Sequence, residues 1–145
     1  MKIAIGNDHG GVELKNILKE YMEEKGHEVV NYGTDTTESM DYPDIARKLS
    51  EDVRDKDFDC GVLICGTGIG MSIAANKVKG IRAAAVDNVY SAKMSKEHNN
   101  ANILCLGARV LGDELAKMVL DAWLTTEFEG GRHQRRVDKI SKIEE

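Results

Sequence analysis

The sequence lacks the features that define several specialised classes of protein. Its three cysteines are odd in number and unrelated in spacing, which argues against a disulfide framework or a zinc site of paired cysteines. It has no apolar run long enough to cross a bilayer, and its start turns polar too soon for a signal peptide. A net charge of −5 argues against nonspecific nucleic-acid binding. We therefore expect a cytoplasmic protein with reduced thiols, no membrane association and no nucleic-acid partner.

Internal repeats, low-complexity tracts and linkers are also absent, and a length of 145 residues suits one domain. Short apolar runs instead alternate with segments of helical periodicity, and the only proline, Pro43, suits the first turn of a helix. We predict strands at 2–6, 29–30, 61–65, 81–86 and 103–106, and helices at 12–22, from 43, and at 69–78, 89–98 and 111–124, before a final segment at 132–143. The alternation predicts a single α/β domain over residues 1–145, a Rossmann-like three-layer α/β/α sandwich around a five-stranded parallel sheet.

Ligands of such a sheet bind at the carboxyl ends of its strands, which selects the segments 7–9, 65–70, Asp87 and 107–109. In CGTGIG, the glycines let backbone amides approach an anion, and the following helix start favours the thiolate of Cys65. The loop matches neither a dinucleotide fingerprint nor a Walker A motif. The alternative to anion binding is a tight turn beside a structural cysteine. Of the two, the residues favour anion binding. Cys60 and Cys105 are interpreted as core residues.

Other polar groups have both a structural and a functional interpretation. Asp8 and His9 suit either proton transfer at a strand end or capping of the next helix. His98, at a helix end, is most simply explained by the helix dipole. Arg132 and Arg136 share a face if their segment is helical, which suits a phosphate, although a solvated charged tail is the commoner explanation. The histidines lack metal-ligand spacing, so no metal is expected.

Longer motifs occur along the whole chain. They are GNDHGG at the start, DYPD at 41–44, ICGTGIGMSIAANK at 64–77, and then GIRAA, YSAKMSKEHNNAN, LGARV and EGGRHQRRV. Through them the chain resembles the ribose-5-phosphate isomerase type B family, which shares its fold with galactose-6-phosphate and allose-6-phosphate isomerases. Some members place a glutamate base beyond the loop, whereas this chain has Cys65 and Ser72-Ile73-Ala74, and so resembles the cysteine branch.

The resemblance implies roles for particular residues. Cys65 corresponds to the catalytic base of the family, and His98 corresponds to the acid that opens the sugar ring with the help of Asp8. The resemblance also implies a catalytic role for Thr67. The implied substrate contacts are the loop residues Gly66, Gly68, Ile69 and Gly70, which hold the enediolate oxygens, then Tyr42 and Asn99, and the phosphate clamp of His9, Arg109, Arg132 and Arg136. No cofactor and no metal are implied.

The implied activity is a metal-free interconversion of ribose 5-phosphate and ribulose 5-phosphate, a step of the pentose phosphate pathway. The alternative within the family is isomerisation of allose 6-phosphate or galactose 6-phosphate. A rival of another class is a nucleotide-binding regulatory module, for which Asp87 stands near the acidic position of a dinucleotide site. Met71 in place of the third glycine counts against this rival.

The end of the chain predicts a partner subunit. Val137, Ile140 and Ile143 form an apolar stripe that needs burial, so we expect the segment 130–145 to pack on a second copy. The resemblance also suggests a homodimer, or a dimer of such dimers, with shared sites. We therefore predict that Arg132 and Arg136 complete the site of the partner chain, opposite that chain's Cys65.

Overall fold

The computed structural model describes residues 1–145 and confirms the predicted α/β architecture. Five parallel strands lie in the order β2-β1-β3-β5-β4, between two layers of helices. The strands are β1 (Lys2–Asn7), β2 (Glu28–Asn31), β3 (Cys60–Cys65), β4 (Ala83–Ala85) and β5 (Ile103–Gly107). The helices are α1 (Val12–Glu24), α2 (Tyr42–Asp55), α3 (Ile69–Ala75), α4 (Val89–Glu97), α5 (Asp113–Leu124) and α6 (Arg132–Ile143). None of these helices combines the length and apolar character needed to cross a membrane.

The central strands separate two apolar cores. Successive side chains of a strand point to opposite faces, so Val62 and Ile64 of β3 join the core formed with α1, α4 and α5. Leu63 and Cys65 of the same strand join the core formed with α2 and α3. All residues of β3 and β5 are buried, as expected for a parallel sheet covered on both faces. The carboxyl ends of these two strands are therefore held from both sides.

The edge strand β4 is shorter than the sequence predicts. The run IRAAAV suggested a strand over 81–86, but only Ala83–Ala85 pair with β5, and these small residues are partly exposed. On the outer side of the strand, the Asn76 side chain donates to Ala83 O at 2.9 Å and accepts from Ala83 N at 2.8 Å. Because Asn76 turns toward the strand in this way, α3 ends at Ala75 rather than at the predicted residue 78.

The last helix, α6, lies beside the amino ends of the strands. The Glu144 carboxylate, which follows the helix, accepts a hydrogen bond from Gly80 N at 3.0 Å, close before β4. Of the predicted apolar stripe, only Val137 is buried within the chain, whereas Ile140 and Ile143 are exposed. These two side chains line an open cavity of about 360 Å³ beside β4. One chain therefore leaves most of the apolar stripe uncovered.

A buried lysine holds the loop that connects β2 to α2. The Lys15 side chain is fully buried, and its Nζ donates to Thr34 O at 3.1 Å and to the carboxylate of Asp35. Further along the same loop, Met40 N donates to His9 Nδ1 at 3.3 Å. A buried ammonium needs such partners, because desolvation without them is costly. Lys15 thereby fixes the loop that contacts His9.

Asp52 is the centre of a second ion-pair network, on the outer side of α2. Its buried carboxylate accepts hydrogen bonds from the Tyr32 hydroxyl at 2.7 Å and from Lys48 Nζ at 3.1 Å, and it pairs with Lys56 Nζ at 3.1 Å. The hydrogen bond from Tyr32, helped by the two lysines against the effect of burial, lowers the pKa of Asp52 to about 2. Burial, with the hydrogen bond to Asp52, raises the pKa of Tyr32 to about 12.

We predict that Asp52 contributes to the acid sensitivity of the fold. A carboxyl whose pKa is lower in the folded than in the unfolded chain stabilises the fold above its ordinary value of 3.8, and this contribution is lost as the pH falls toward about 2. Asp52→Asn should therefore be less stable than wild type at neutral pH, and the difference should shrink in that acidic window. Urea unfolding across the window measures this. Asp57→Asn, which removes an exposed carboxylate nearby, should keep the wild-type slope; an unchanged slope in Asp52→Asn would contradict the prediction.

Candidate active site

The candidate site is built where β3 and β5 end side by side. Their parallel pairing sets Cys65 opposite Gly107. Beyond the strands, Ala108 N donates to Cys65 O at 2.8 Å, and Arg109 N donates to Gly66 O at 3.0 Å. These two hydrogen bonds tie the glycine-rich loop to the loop after β5. We call this region, with the residues that follow β1, the carboxyl-edge site.

Cys65 differs from the other two cysteines in its hydrogen bonding. Its Sγ accepts from Gly68 N at 3.1 Å, which stabilises negative charge on sulfur. Gly68 has a φ of 81° and packs against the backbone of Leu106, a position that a residue with a side chain does not readily occupy. Burial raises the pKa of Cys60 to about 12, and burial likewise raises that of Cys105. Cys65 is thus the thiol suited to proton transfer.

The amides of the glycine loop fall into two groups. Those of Gly68 and Ile69 are engaged within the loop, with Cys65 Sγ and with Thr67 Oγ1 at 3.2 Å. The amides of Gly66, Thr67 and Gly70 donate to no carbonyl of the chain. An oxyanion placed beside Cys65 therefore has these three donors available. Of the loop residues that the resemblance implied as oxyanion donors, Gly66 and Gly70 have an unengaged amide, Gly68 and Ile69 do not, and the Thr67 amide is an addition.

Asp8 and His9 lie at the end of β1, next to this loop. Asp8 is buried and caps the following 3-10 turn, because its Oδ1 accepts from Gly10 N at 2.9 Å. His9 accepts the hydrogen bond of Met40 N at Nδ1, so its neutral ring carries the proton on Nε2 and can donate it to a ligand. The capping interpretation of Asp8 is correct, and its second oxygen still has no partner within the chain.

Arg109 and Tyr42 border the same loop from two sides. A Cβ built on Gly66 would lie 3.5 Å from Nη1 of Arg109, so the exposed guanidinium covers this glycine. A Cβ built on Gly70 would lie 2.7 Å from ring atoms of Tyr42, at the start of α2. The loop therefore has a cation on one side and an aromatic hydroxyl on the other. This arrangement suits an anionic, hydroxylated ligand.

The remaining predicted residues lie at the opposite edge of the sheet. His98 ends α4, a helix that returns from the carboxyl to the amino ends of the strands. Close by, Asn100 O accepts from Arg82 Nε at 2.8 Å, just before β4 begins. Five residues of β5 separate this edge from Cys65, on the order of 13 Å at the rise of a parallel strand. The implied partnership of His98 with Asp8 is therefore not formed within one chain.

At this amino edge, His98 belongs to a cluster that sequence reasoning did not identify. Its ring stacks on that of His133, with centroids 4.1 Å apart and planes within 8°. Carboxylates of Glu97 and Glu129 lie 3.7 and 4.0 Å from His98 Nε2. We call these four residues the histidine cluster. Asn99, Arg132 and Arg136 are exposed beside it. The pattern RHQRR looks like a solvated tail, and no sequence signal marks Glu129 or the burial of His133.

The fold and the carboxyl-edge site define a class: a Rossmann-like α/β protein whose polar site lies at the carboxyl ends of its strands, as in many enzymes of small metabolites. The chain belongs to the Ribose/Galactose Isomerase family, whose model matches residues 3–140. The resemblance inferred from the motifs is thereby confirmed.

Individual relatives cover almost the full chain. Ribose-5-phosphate isomerase B of Escherichia coli is 50% identical, over 99% of this chain and 97% of its own. A D-erythrulose-4-phosphate isomerase of Pectobacterium atrosepticum is 48% identical, over 99% of this chain and 95% of its own. Among solved structures, ribose-5-phosphate isomerase B of Clostridium thermocellum superimposes with a TM-score of 0.98 at 55% identity, covering 99% of this chain and 97% of its own.

We predict that the close packing of the two loops resists any added volume. A methyl group on Gly107 would lie 2.8 Å from backbone atoms of Thr67, so Gly107→Ala must displace the glycine loop. Overpacking of this kind costs about 1–3 kcal/mol. Gly112→Ala is the matched control, since a Cβ there meets nothing within 4 Å. Urea unfolding measures the stability of the two variants. Equal stability would contradict the prediction, because it would show that the glycine loop accommodates a methyl group at Gly107.

Proposed function

We propose that the protein is a ribose-5-phosphate isomerase, which interconverts ribose 5-phosphate and ribulose 5-phosphate through an enediolate. The observation that carries this function is the hydrogen bond that Cys65 Sγ accepts from Gly68 N, in a loop where three other amides have no partner. Family membership and the full-length similarity to ribose-5-phosphate isomerase B support the substrate assignment. The three cysteines are free, as expected for a reducing compartment, and we propose a cytoplasmic location on that ground.

The reaction requires one base that serves two neighbouring carbons. In this proposal the Cys65 thiolate removes the proton from C2 of the open-chain aldose, and the carbonyl oxygen at C1 becomes negatively charged. The amides of Gly66, Thr67 and Gly70 stabilise that charge without a metal. The thiol then returns the proton to C1, while the hydroxyl proton of C2 moves to the C1 oxygen. Because Cys65 is 5% exposed, bulk water has little access to the proton in transit.

The other groups of the carboxyl-edge site bind the substrate. We assign the phosphate to His9 and Arg109 and a sugar hydroxyl to Tyr42; the hydrogen bond from Met40 N to His9 and the closeness of Arg109 to Gly66 and of Tyr42 to Gly70 support these assignments. Ribose 5-phosphate enters as a furanose, so an acid is needed to open the ring. We assign this role to His98, with Asp8 assisting. One chain does not bring these two side chains together, so this assignment requires a second copy.

We therefore propose a homodimer in which each site uses both chains; the alternative assembly is a pair of such dimers. His98, Asn99, Arg132 and Arg136 are gathered at the amino edge, remote from their own Cys65, and three of them are exposed. The uncovered side chains of Ile140 and Ile143 on α6 supply the apolar surface for packing, as proposed for the segment 130–145. When that edge packs against the partner's glycine-rich loop, the apolar stripe is covered and the phosphate clamp is completed.

The substrate assignment is tested with purified protein. We expect turnover of ribose 5-phosphate to exceed that of allose 6-phosphate and galactose 6-phosphate, measured as kcat/KM. Erythrulose 4-phosphate belongs in the panel, because a relative of similar identity is named for it. Cys65→Ala should lower kcat by at least about a hundredfold while ligand binding persists, because it removes the base and leaves the amides.

Cys60→Ala and Cys105→Ala serve as thiol controls, since both residues are buried in the cores and should change stability alone. Near-normal turnover in Cys65→Ala would overturn the assignment of the base. A higher kcat/KM for any other sugar phosphate of the panel would overturn the substrate assignment and leave the base assignment intact.

Complementation tests the shared site. Cys65→Ala dimers and Arg132→Ala/Arg136→Ala dimers should each be nearly inactive. After denaturation and random remixing of equal amounts, about half of the dimers contain one chain of each kind, and each of these has one intact site. Activity should therefore recover to about a quarter of the wild-type value for a symmetric dimer. If remixing restores nothing while remixed wild type regains full activity, the arginines serve their own chain and the shared site is wrong.

A further inference from the structure

The histidine cluster contains a ligand set with no protein partner of its own. One ring nitrogen each of His98 and His133 and one carboxylate oxygen of Glu129 all lie within 4.8 Å of one another. The Glu129 carboxylate lies beside the stacked rings, with one oxygen 4.0 Å from His98 Nε2 and the other 3.9 Å from His133 Nε2. Both distances exceed those of a hydrogen bond. The three groups thus lie close together and form no hydrogen bond with each other.

His133 Nε2 is the most informative atom of the cluster. The His133 side chain is 5% exposed, and its Nε2 is buried without any hydrogen-bond partner. An unpaired buried nitrogen is costly, and native structures usually supply it with a partner. A neutral imidazole is the form that binds a metal ion.

We propose that His98, His133 and Glu129 form a binding site for a borderline divalent cation such as Zn²⁺. Two imidazoles and one carboxylate are a common zinc ligand set, with a fourth position left for water. The nearby Glu97 carboxylate, 3.7 Å from His98 Nε2, adds negative charge to the site. Hard cations such as Mg²⁺ prefer oxygen ligands throughout and do not fit this set.

Binding of a metal ion requires small movements, which involve the two more exposed members of the cluster, Glu129 and His98. Zinc–ligand bonds of roughly 2.0–2.2 Å require the three atoms to draw closer. Glu129 lies between α5 and α6, outside regular structure, and its side chain is 55% exposed. The His98 ring is 37% exposed and has to tilt out of its parallel stack, because a metal ion lies in the plane of each imidazole that binds it. His133 remains in place.

Occupation of the site has a consequence for catalysis that rests on the proposed function. A metal ion on His98 Nε2 takes the position of the proton that ring opening requires. The cation is therefore inhibitory, and its removal by a chelator restores activity. Binding itself is independent of His98 acting as an acid, so the two statements are tested by separate measurements.

Binding is measured by equilibrium dialysis of Zn²⁺ against chelator-treated dimers of the Cys65→Ala protein, which lacks the thiol of the carboxyl-edge site. We expect about one Zn²⁺ per chain, and a Kd at least about tenfold higher in Glu129→Gln and in His133→Gln. His27→Gln, which alters a histidine outside the cluster, should keep the parent Kd. Co²⁺ in place of Zn²⁺ should show visible ligand-field bands without thiolate charge transfer.

Unchanged Zn²⁺ binding in Glu129→Gln overturns the site, and that variant alters an exposed carboxylate, so its folding is not at risk. Wild-type activity is assayed in parallel with Zn²⁺, with Mg²⁺ and after chelation. Reversible inhibition by Zn²⁺ alone, weaker in Glu129→Gln, supports the catalytic consequence. Cluster-dependent binding without inhibition overturns the role of His98 as the acid and leaves the metal site standing. Binding that appears only when Cys65 is present overturns the site.

Discussion

The parallel pairing of β3 with β5 is the constraint on which the candidate site depends. It sets Cys65 beside Gly107, and the next hydrogen bonds join the two loops that follow. Because both strands are buried on both faces, neither strand end shifts without disturbing two cores. The thiol, the amides and the Arg109 guanidinium therefore take their positions from core packing. Preorganisation of this kind is what an oxyanion-stabilising site requires.

The fold was predictable where apolar residues recur with a clear period. The sequence pattern was misleading where small residues predominate. The strand before Cys65 and the helix before Gly26 are evident from the sequence, because each has a long apolar pattern and a clear stop. Ala83–Ala85 resemble the interior of a buried strand, yet they form an exposed edge, since alanine is compatible with either place. The order of the strands depends on long-range packing, which no local pattern records.

The site was only partly visible for the same reason. The loop at Cys65 was identifiable because an apolar strand runs directly into glycines, although the hydrogen bond from Gly68 N to Cys65 Sγ depends on how the loop folds back and leaves no pattern in the sequence. His98 was ambiguous from the residues, and the resemblance supplied its role. Its placement at the far edge follows from the direction of α4, which the predicted parallel sheet already implies, whereas its contact with His133 depends on long-range packing. The burial of His133 was missed because three arginines in five residues suggest a solvated segment.

The side chain of Asn76 has a consequence for how copies of this protein meet. An open sheet normally presents a row of free backbone groups that recruits another strand. Here the Asn76 carboxamide makes the two hydrogen bonds to Ala83 that a neighbouring strand would otherwise make. The first outward-facing residue of this border is therefore already paired. A strand of another chain therefore cannot pair with Ala83, and any contact at this border has to be made through helices and loops. The Asn76 carboxamide thereby opposes edge-to-edge pairing of sheets at the start of this border.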